Sequence, residues 1–166
     1  ENHRVVDSEY AGRGGPVDIS AGNGMKNPLY QAFVEAGVEA GYAETADYNG
    51  YQQEGFGPKY MNVADGIRAS TGYSYLRPVR HRGNLQIVKN ALVQRVVLEN
   101  KKAKGVECQV GSQTRSYFAR REVIVAAGAI GSPHLLQVSG IGATTTLAAA
   151  GIETLHELPG VGENLQ

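Results

Sequence analysis

Two stretches of this 166-residue sequence hold residue types whose spacing could do chemistry. The first is Glu122-Val-Ile-Val-Ala-Ala-Gly-Ala-Ile-Gly-Ser-Pro-His-Leu-Leu-Gln-Val-Ser-Gly-Ile-Gly142. What it offers is bare backbone. Ala127 and Gly128 present no bulk, so another molecule can lie against the main chain, and a helix beginning just beyond supplies free N–H groups and partial positive charge. An ordinary crossover in an α/β sheet has the same pattern, and the residues alone leave both readings open. The second stretch is Asp47-Tyr-Asn-Gly-Tyr-Gln-Gln-Glu-Gly-Phe-Gly-Pro58. Tyr48, Tyr51 and Phe56 place aromatic faces near the Glu54 carboxylate, a combination suited to a cation such as a quaternary ammonium group. The alternative is a loop whose aromatic rings fill gaps.

The remaining reactive side chains form no constellation. His3, His81, His134 and His156 stand singly, without the pairing that zinc or a nucleophilic triad requires, so no metal site is expected. The single cysteine, Cys108, sits in the strand pattern Gly105-Val-Glu-Cys-Gln-Val110, which reads as a buried structural thiol and allows no internal disulfide. Arg68 reads as a solvated surface arginine or as a partner for a phosphate or carboxylate. The dinucleotide fingerprint of three spaced glycines is absent: Gly12/Gly14, Gly55/Gly57, Gly140/Gly142 and Gly160/Gly162 each supply only its first half.

These residues must be positioned by a mixed set of elements. Val123 to Ala127 is an apolar run that predicts a strand buried on both faces. Ser132-Pro133 predicts a helix start, with serine as cap and proline in the first position. Upstream, Leu85 to Val88 and Ala91 to Leu98 read as strands, Glu99 to Lys102 as a turn, and Gly105–Val110 with Arg115–Ala119 as a hairpin across Gly111-Ser112. Asn27-Pro28 predicts a helix to Ala40 whose face of Leu29, Phe33, Gly37 and Ala40 packs into a core. Val17 to Ser20 reads as a short strand, Ser70 or Thr71 as the cap of a short helix ending before Pro78, Thr145–Ala150 as a helix stopped by Gly151, and Ile152–His156 as a final strand. The fold class is therefore α/β, or mixed α+β, with an antiparallel meander leading into a parallel strand.

Lys and Arg number 16, and so do Asp and Glu, a balance that argues against nucleic-acid binding. No apolar stretch approaches the roughly 18 residues needed to span a bilayer, and no signal segment is evident at the start. The length suits one domain with a core and is short for two large ones. Glu1 at the start and Gly160-Val-Gly-Glu-Asn-Leu-Gln166 at the end suggest a piece of a longer protein.

The run Gly128-Ala-Ile-Gly-Ser-Pro-His-Leu-Leu-Gln-Val-Ser-Gly-Ile-Gly142 resembles the second signature of the glucose-methanol-choline (GMC) oxidoreductases at every fixed position. The resemblance extends through Asn27-Pro-Leu-Tyr30, Glu35-Ala-Gly37, Asp47 to Gly57, Arg68-Ala-Ser-Thr71, the strand at Arg95, Ala103 to Glu107 and Leu158 to Gln166, and is strongest toward the choline dehydrogenase branch. It implies an FAD-dependent enzyme that oxidises an alcohol, choline foremost, to an aldehyde by hydride transfer to flavin, in glycine betaine synthesis. It also implies an electron acceptor and a location in the cytoplasm or peripheral to the inner membrane. Residues 81–166 would then be part of a Rossmann-like FAD-binding domain, and residues 1–80 a loop-rich part of the substrate side. Position by position, Val93 matches a strand residue whose backbone meets the adenine, Ala127 and Gly128 the small turn beside the ribose and diphosphate, and Asn164 an asparagine close to the cofactor. Tyr51, Glu54 and Phe56 are the substrate-side candidates. The family's catalytic histidine would lie C-terminal to this chain, so no catalytic residue is expected within it. Two alternatives remain: a family oxidoreductase for an uncharged primary alcohol, and a non-catalytic binding module.

Overall fold

A computed structural model describes residues 2–3, 9–20 and 26–165, in two compact units, Glu1–Gln86 and Ile87–Gln166. The mixed α/β expectation stands: among the described residues short helices alternate with four small sheets, one of them a three-stranded antiparallel meander. No helix among the described residues is long and apolar enough to cross a membrane.

In the first unit, β1 (Asn2–His3) pairs in parallel with β2 (Asp18–Ile19). Ser20 next to it bridges Met61, just before the hairpin of β3 (Val63–Ala64) and β4 (Ile67–Arg68). Helix α1 (Pro28–Glu39) starts as its sequence dictates: the Asn27 side chain accepts the Leu29 amide at 3.0 Å and Pro28 takes the first turn. Its expected core face is corrected. Leu29 and Phe33 are 72% and 66% exposed, and Val34 and Gly37 are the buried positions. The reason lies in the loop that follows. Phe56 returns to lay its ring on Gly37, so closely that a Cβ there would stand 2.5 Å from Cγ of the ring. The contact covers the predicted face at Gly37 only, and Leu29 and Phe33 on the same face stay largely exposed. Phe33 and Tyr42 flank the same ring at 5.2 and 5.5 Å between centroids.

Ser70 caps the next helical stretch, its hydroxyl accepting the Tyr73 amide at 3.2 Å. The stretch does not stop before Pro78. A π-helical turn, Gly72–Leu76, runs directly into α2 (Arg77–Val79), and the proline sits in the first turn of α2, where no N–H is needed. The strand expected at 85–88 is absent; among the described residues these form no ladder, and the Leu85 amide donates to Arg82 at 3.1 Å.

The second unit is built on the meander β5 (Ala91–Glu99), β6 (Lys102–Val110) and β7 (Gln113–Phe118). Asn100 and Lys101 both take positive φ, 51° and 61°, the geometry whose twist matches the strands that a two-residue hairpin joins. Helices α3 (Gly128–Val138) and α4 (Thr144–Ala149) follow, and β8 (Ile141–Gly142) pairs in parallel with β9 (His156–Glu157). Leu147 of α4 is the best-buried large side chain, 1% exposed. The final strand is thus shorter and later than Ile152–His156.

Two expectations about the signature stretch are corrected. Residues 122–126 form no ladder, although their burial alternates as in a strand: Val123 and Val125 are half-buried and Ile124 is 80% exposed. An apolar run becomes a strand only when a neighbour supplies its hydrogen bonds, and among the described residues none does. The helix also begins at Gly128, not at Ser132, which leaves Pro133 inside it.

The Gly37–Phe56 contact sets two effects against each other. Alanine is the better helix former by about 1 kcal/mol, whereas overpacking a fitted contact costs about 1–3 kcal/mol. Gly37→Ala is expected to lower stability in urea unfolding followed by circular dichroism. In a Phe56→Ala background, where the ring is gone, the same substitution should raise it. A stabilising Gly37→Ala in the presence of Phe56 would show that the ring does not occupy this position.

Candidate functional site

The site in the second unit grows from the edge of the meander. β5 is an edge strand, so half of its N–H and C=O groups point away from β6. Its register slips between Val93 and Arg95, leaving Gln94 as an extra residue, a bulge of the kind that re-aims side chains. Past the bulge, Arg95 makes a two-pronged ion pair with Glu107 on β6, at 3.2 and 3.0 Å. The hydrogen bonds from Arg95 hold the Glu107 carboxyl below its ordinary range, and the pair sits in water, where it fixes geometry more than it stabilises.

One residue further, the Val96 amide on the free edge donates to the Ser139 hydroxyl at 2.8 Å. That hydroxyl in turn donates to the Leu135 carbonyl at 2.6 Å. Ser139 closes α3 and is only 4% exposed, so the end of the helix is clamped to the strand edge by a buried hydroxyl. At the other end of α3, Gly128 adopts φ +88°, a left-handed turn that favours glycine over any residue with a side chain. Ser132 does cap an amide, but from inside the helix: its hydroxyl accepts Ala127 N–H at 3.1 Å. Small residues keep this corner tight, and a Cβ on Gly131 would meet that of Ala127 at 3.2 Å.

Between β5 and α3 lies a cavity of about 640 Å³. Leu92, Val93 and Gln94 form one side, Val123 to Ala127 another, and Leu135 and Val138 the helix side. The structure therefore brings Val93 and Ala127 to one hollow, with Gly128 at the adjoining turn. Asn164 lies elsewhere, in a second cavity of about 610 Å³ against Ile130, Pro133 and Gln137, with its backbone at φ 56°. His134 borders both cavities. The Gln137 side chain anchors the segment before Asn164 by donating to the Val161 carbonyl at 3.2 Å.

In the first unit, the segment from Tyr42 to Gly57 is an ordered loop. Thr45 donates its amide to Phe56 at 2.8 Å, Phe56 donates to Ala43 at 2.9 Å, and the Thr45 hydroxyl holds the Gln52 carbonyl at 2.7 Å. Phe56 turns inward onto Gly37, while Tyr51 is 90% exposed and Glu54 is exposed beside it in sequence. Tyr48 packs on Tyr60 at 5.3 Å instead of joining Tyr51. Burial, then the Asp47 carboxylate and Tyr48, push the Tyr60 phenol up, so it remains a neutral donor to the Ala46 carbonyl.

The residue that sequence reasoning missed is Ser139. Its signal was present: a small hydroxyl residue four positions after Leu135 can back-bond to that carbonyl. Nothing local, however, announces a partner 43 residues away.

The GMC oxidoreductase family model matches residues 3–166. The chain is 54% identical over its whole length to an oxygen-dependent choline dehydrogenase of Vibrio vulnificus (strain YJ016), covering 30% of that protein. It is 47% identical to the enzyme of the same name from Citrobacter koseri, again covering all of this chain and 30% of the relative. The chain thus spans about 30% of the length of these curated relatives. Among solved structures, pyridoxine 4-oxidase from Mesorbium loti superposes with a TM-score of 0.79 at 35% identity, covering 89% of this chain and 29% of the other. An FAD-dependent oxidoreductase from Chaetomium thermophilum gives 0.79 at 31% identity, covering 93% and 27%.

Cys108 is excluded as a nucleophile by its setting. It is 3% exposed in the central strand β6, and burial, with Glu107 adding, pushes its thiol up from the ordinary value. The neutral thiol is thus the folded form, and its contribution to stability is present below the ordinary thiol range and lost as pH rises through the raised value. Thiol titration at about pH 8 with an aromatic disulfide reagent should be slow in the folded protein and fast in denaturant. Equal rates would mean that Cys108 is accessible.

Proposed function

The chain belongs to the GMC oxidoreductases, and from that premise we infer that it is part of a longer FAD-dependent enzyme that oxidises an alcohol, choline foremost, to its aldehyde. The observation that carries the reading is the hollow between the β5 edge and the Ala127–Gly128 turn, joined to whole-chain likeness to choline dehydrogenases. The residues present suit one end of a dinucleotide. Leu92, Val93 and Val125 offer apolar walls for a flat ring, the strand edge offers backbone donors and acceptors, and the turn has space where a side chain on Gly128 would meet nothing within 4 Å.

When bound, flavin supplies the hydride acceptor. This chain's residues do the holding: Val93 and Ala127 line the hollow, Gly128 lets the backbone approach, and Asn164 with its neighbours lines the separate second hollow. The acid–base group and the electron acceptor are supplied from outside these residues. In the first unit, the exposed Tyr51 and Glu54 are the part of the ordered loop free to meet a cationic alcohol, while Phe56 holds the loop to α1. Choline has a fixed positive charge, so a carboxylate close to it would favour it over an uncharged alcohol of equal shape.

The full-length protein should purify yellow and oxidise choline. In it, Glu54→Gln is expected to raise KM for choline about tenfold, the equivalent of about 1.4 kcal/mol, and to leave KM for choline's uncharged carbon isostere nearly unchanged. Equal effects on both substrates would remove Glu54 from the substrate site. Absence of flavin absorbance from the purified protein would overturn the function as a whole.

A further inference from the structure

We propose that Ser139 is a positioning residue for the adenosine end of the flavin nucleotide, a role that rests on the flavin reading above. The argument starts from how the free edge of β5 is shared out. In a regular strand alternate residues face one way, yet Leu92, Val93 and Gln94 all border the hollow, because the bulge at Gln94 turns the strand there. Two residues beyond the bulge the edge is occupied: Val96 N–H is taken by the Ser139 hydroxyl. The same edge is thus open to a ligand at Leu92–Gln94 and closed by the protein at Val96.

Ser139 is buried and does not border the hollow. It acts through the two elements it joins. Its accepted bond fixes the strand just after the bulge, and its donated bond to Leu135 fixes the last turn of α3. Leu135 and Val138 on that turn are the helix wall of the hollow, facing Val93 across it. A single hydroxyl therefore bonds both walls at this end of the hollow. Without it, Val96 N–H is left buried without a partner, and strand and helix are free to part.

A flat ring held between two walls gains contact only if their spacing is fixed. Loss of the clamp should weaken the adenosine end of the ligand and leave the flavin end, which other parts of the enzyme hold, unaffected. The test is made on apoprotein of the full-length enzyme. Wild type is first titrated with FAD; wild type and variants are then titrated with ADP, which carries only the adenosine end, and with FMN, which carries only the flavin end.

Ser139→Ala is expected to weaken ADP about tenfold, the effect of one buried hydrogen bond, and FMN by less than about twofold. Ser139→Thr, which keeps the hydroxyl, should restore ADP binding. Leu147→Ala, which destabilises the same unit from α4, should lower Tm without changing the ADP-to-FMN ratio. Amide exchange supplies a readout independent of ligand: Val96 N–H should lose protection in Ser139→Ala and keep it in Ser139→Thr. Equal weakening of ADP and FMN, unchanged ADP binding, or a ratio shifted as much by Leu147→Ala would each overturn the assignment. Failure of wild type to bind FAD would instead overturn the flavin reading, and this role with it, before any variant is compared.

Discussion

The amide of Val96 faces away from its own sheet, toward a place where no further strand stands among the described residues, and a buried N–H in that position must find an acceptor or lose about 1–3 kcal/mol. Ser139 is that acceptor. Much of the second unit follows from the arrangement. The strand edge is protected without being covered along its length, the end of α3 is fixed, and the chain can leave Ser139 through Gly140 into β8. Gly140 then accepts from both Leu155 and His156, and Gly142 from Leu158, which brings the last segment back alongside. The Glu157 carboxylate completes the fold locally by accepting the Thr144 amide at the start of α4. A hollow remains between strand and helix because the clamp lies at one end of their contact and the bulge at the other.

The first unit depends on a contact of the opposite kind, apolar and made possible by an absent side chain. Phe56 can lie on α1 only because position 37 is glycine. That contact, with the paired hydrogen bonds between Thr45 and Phe56 and between Phe56 and Ala43, converts a stretch without periodicity into an ordered loop. The loop holds one aromatic ring inward and leaves Tyr51 and Glu54 outward, so the segment separates its structural residue from its accessible ones.

What could be read from the sequence was whatever local chemistry decides. Asn27-Pro28 starts α1, the turn at Glu99 to Lys102 joins β5 to β6, and runs of strand-forming residues mark β5 to β7. What could not be read depends on distant partners. The limited burial of the predicted α1 face could not be read because its cover, Phe56, lies 19 residues beyond Gly37 and reaches only part of that face. Val123 to Ala127 has the composition of a strand without a ladder, since composition describes burial and a ladder needs a neighbour. Pro133 looked like a helix start because serine and proline usually mark one. Gly128 supplied the turn five residues earlier, and Ser132 reached back to Ala127 from within the helix. For the candidate site, the motif pointed to the Ala127–Gly128 turn, and the strand-edge position of Val93 came from family likeness alone. The coupling of these residues through Ser139 was invisible, being a property of the folded chain.

The distribution of chemistry follows from the same physics. The described residues hold no cluster of three metal-ligating side chains, and the groups with displaced titration, Tyr60, Cys108, Arg95 and Glu107, are accounted for by burial, by neighbouring charge and by one exposed ion pair. The hollows that hold Val93 with Ala127, and Asn164, are walled mainly by aliphatic side chains, small residues and backbone, with His134 bordering both and Gln137, Glu163 and Asn164 lining the second. Such surfaces bind by shape and by fixed hydrogen-bonding edges, and they contribute to a reaction by orienting what they hold. A chain that supplies orientation must be rigid where it touches its ligand. The buried hydroxyl clamp, the inward-turned Phe56 and the left-handed turn at Gly128 are three separate means to that end, each fixing backbone close to a candidate contact without placing a reactive group there.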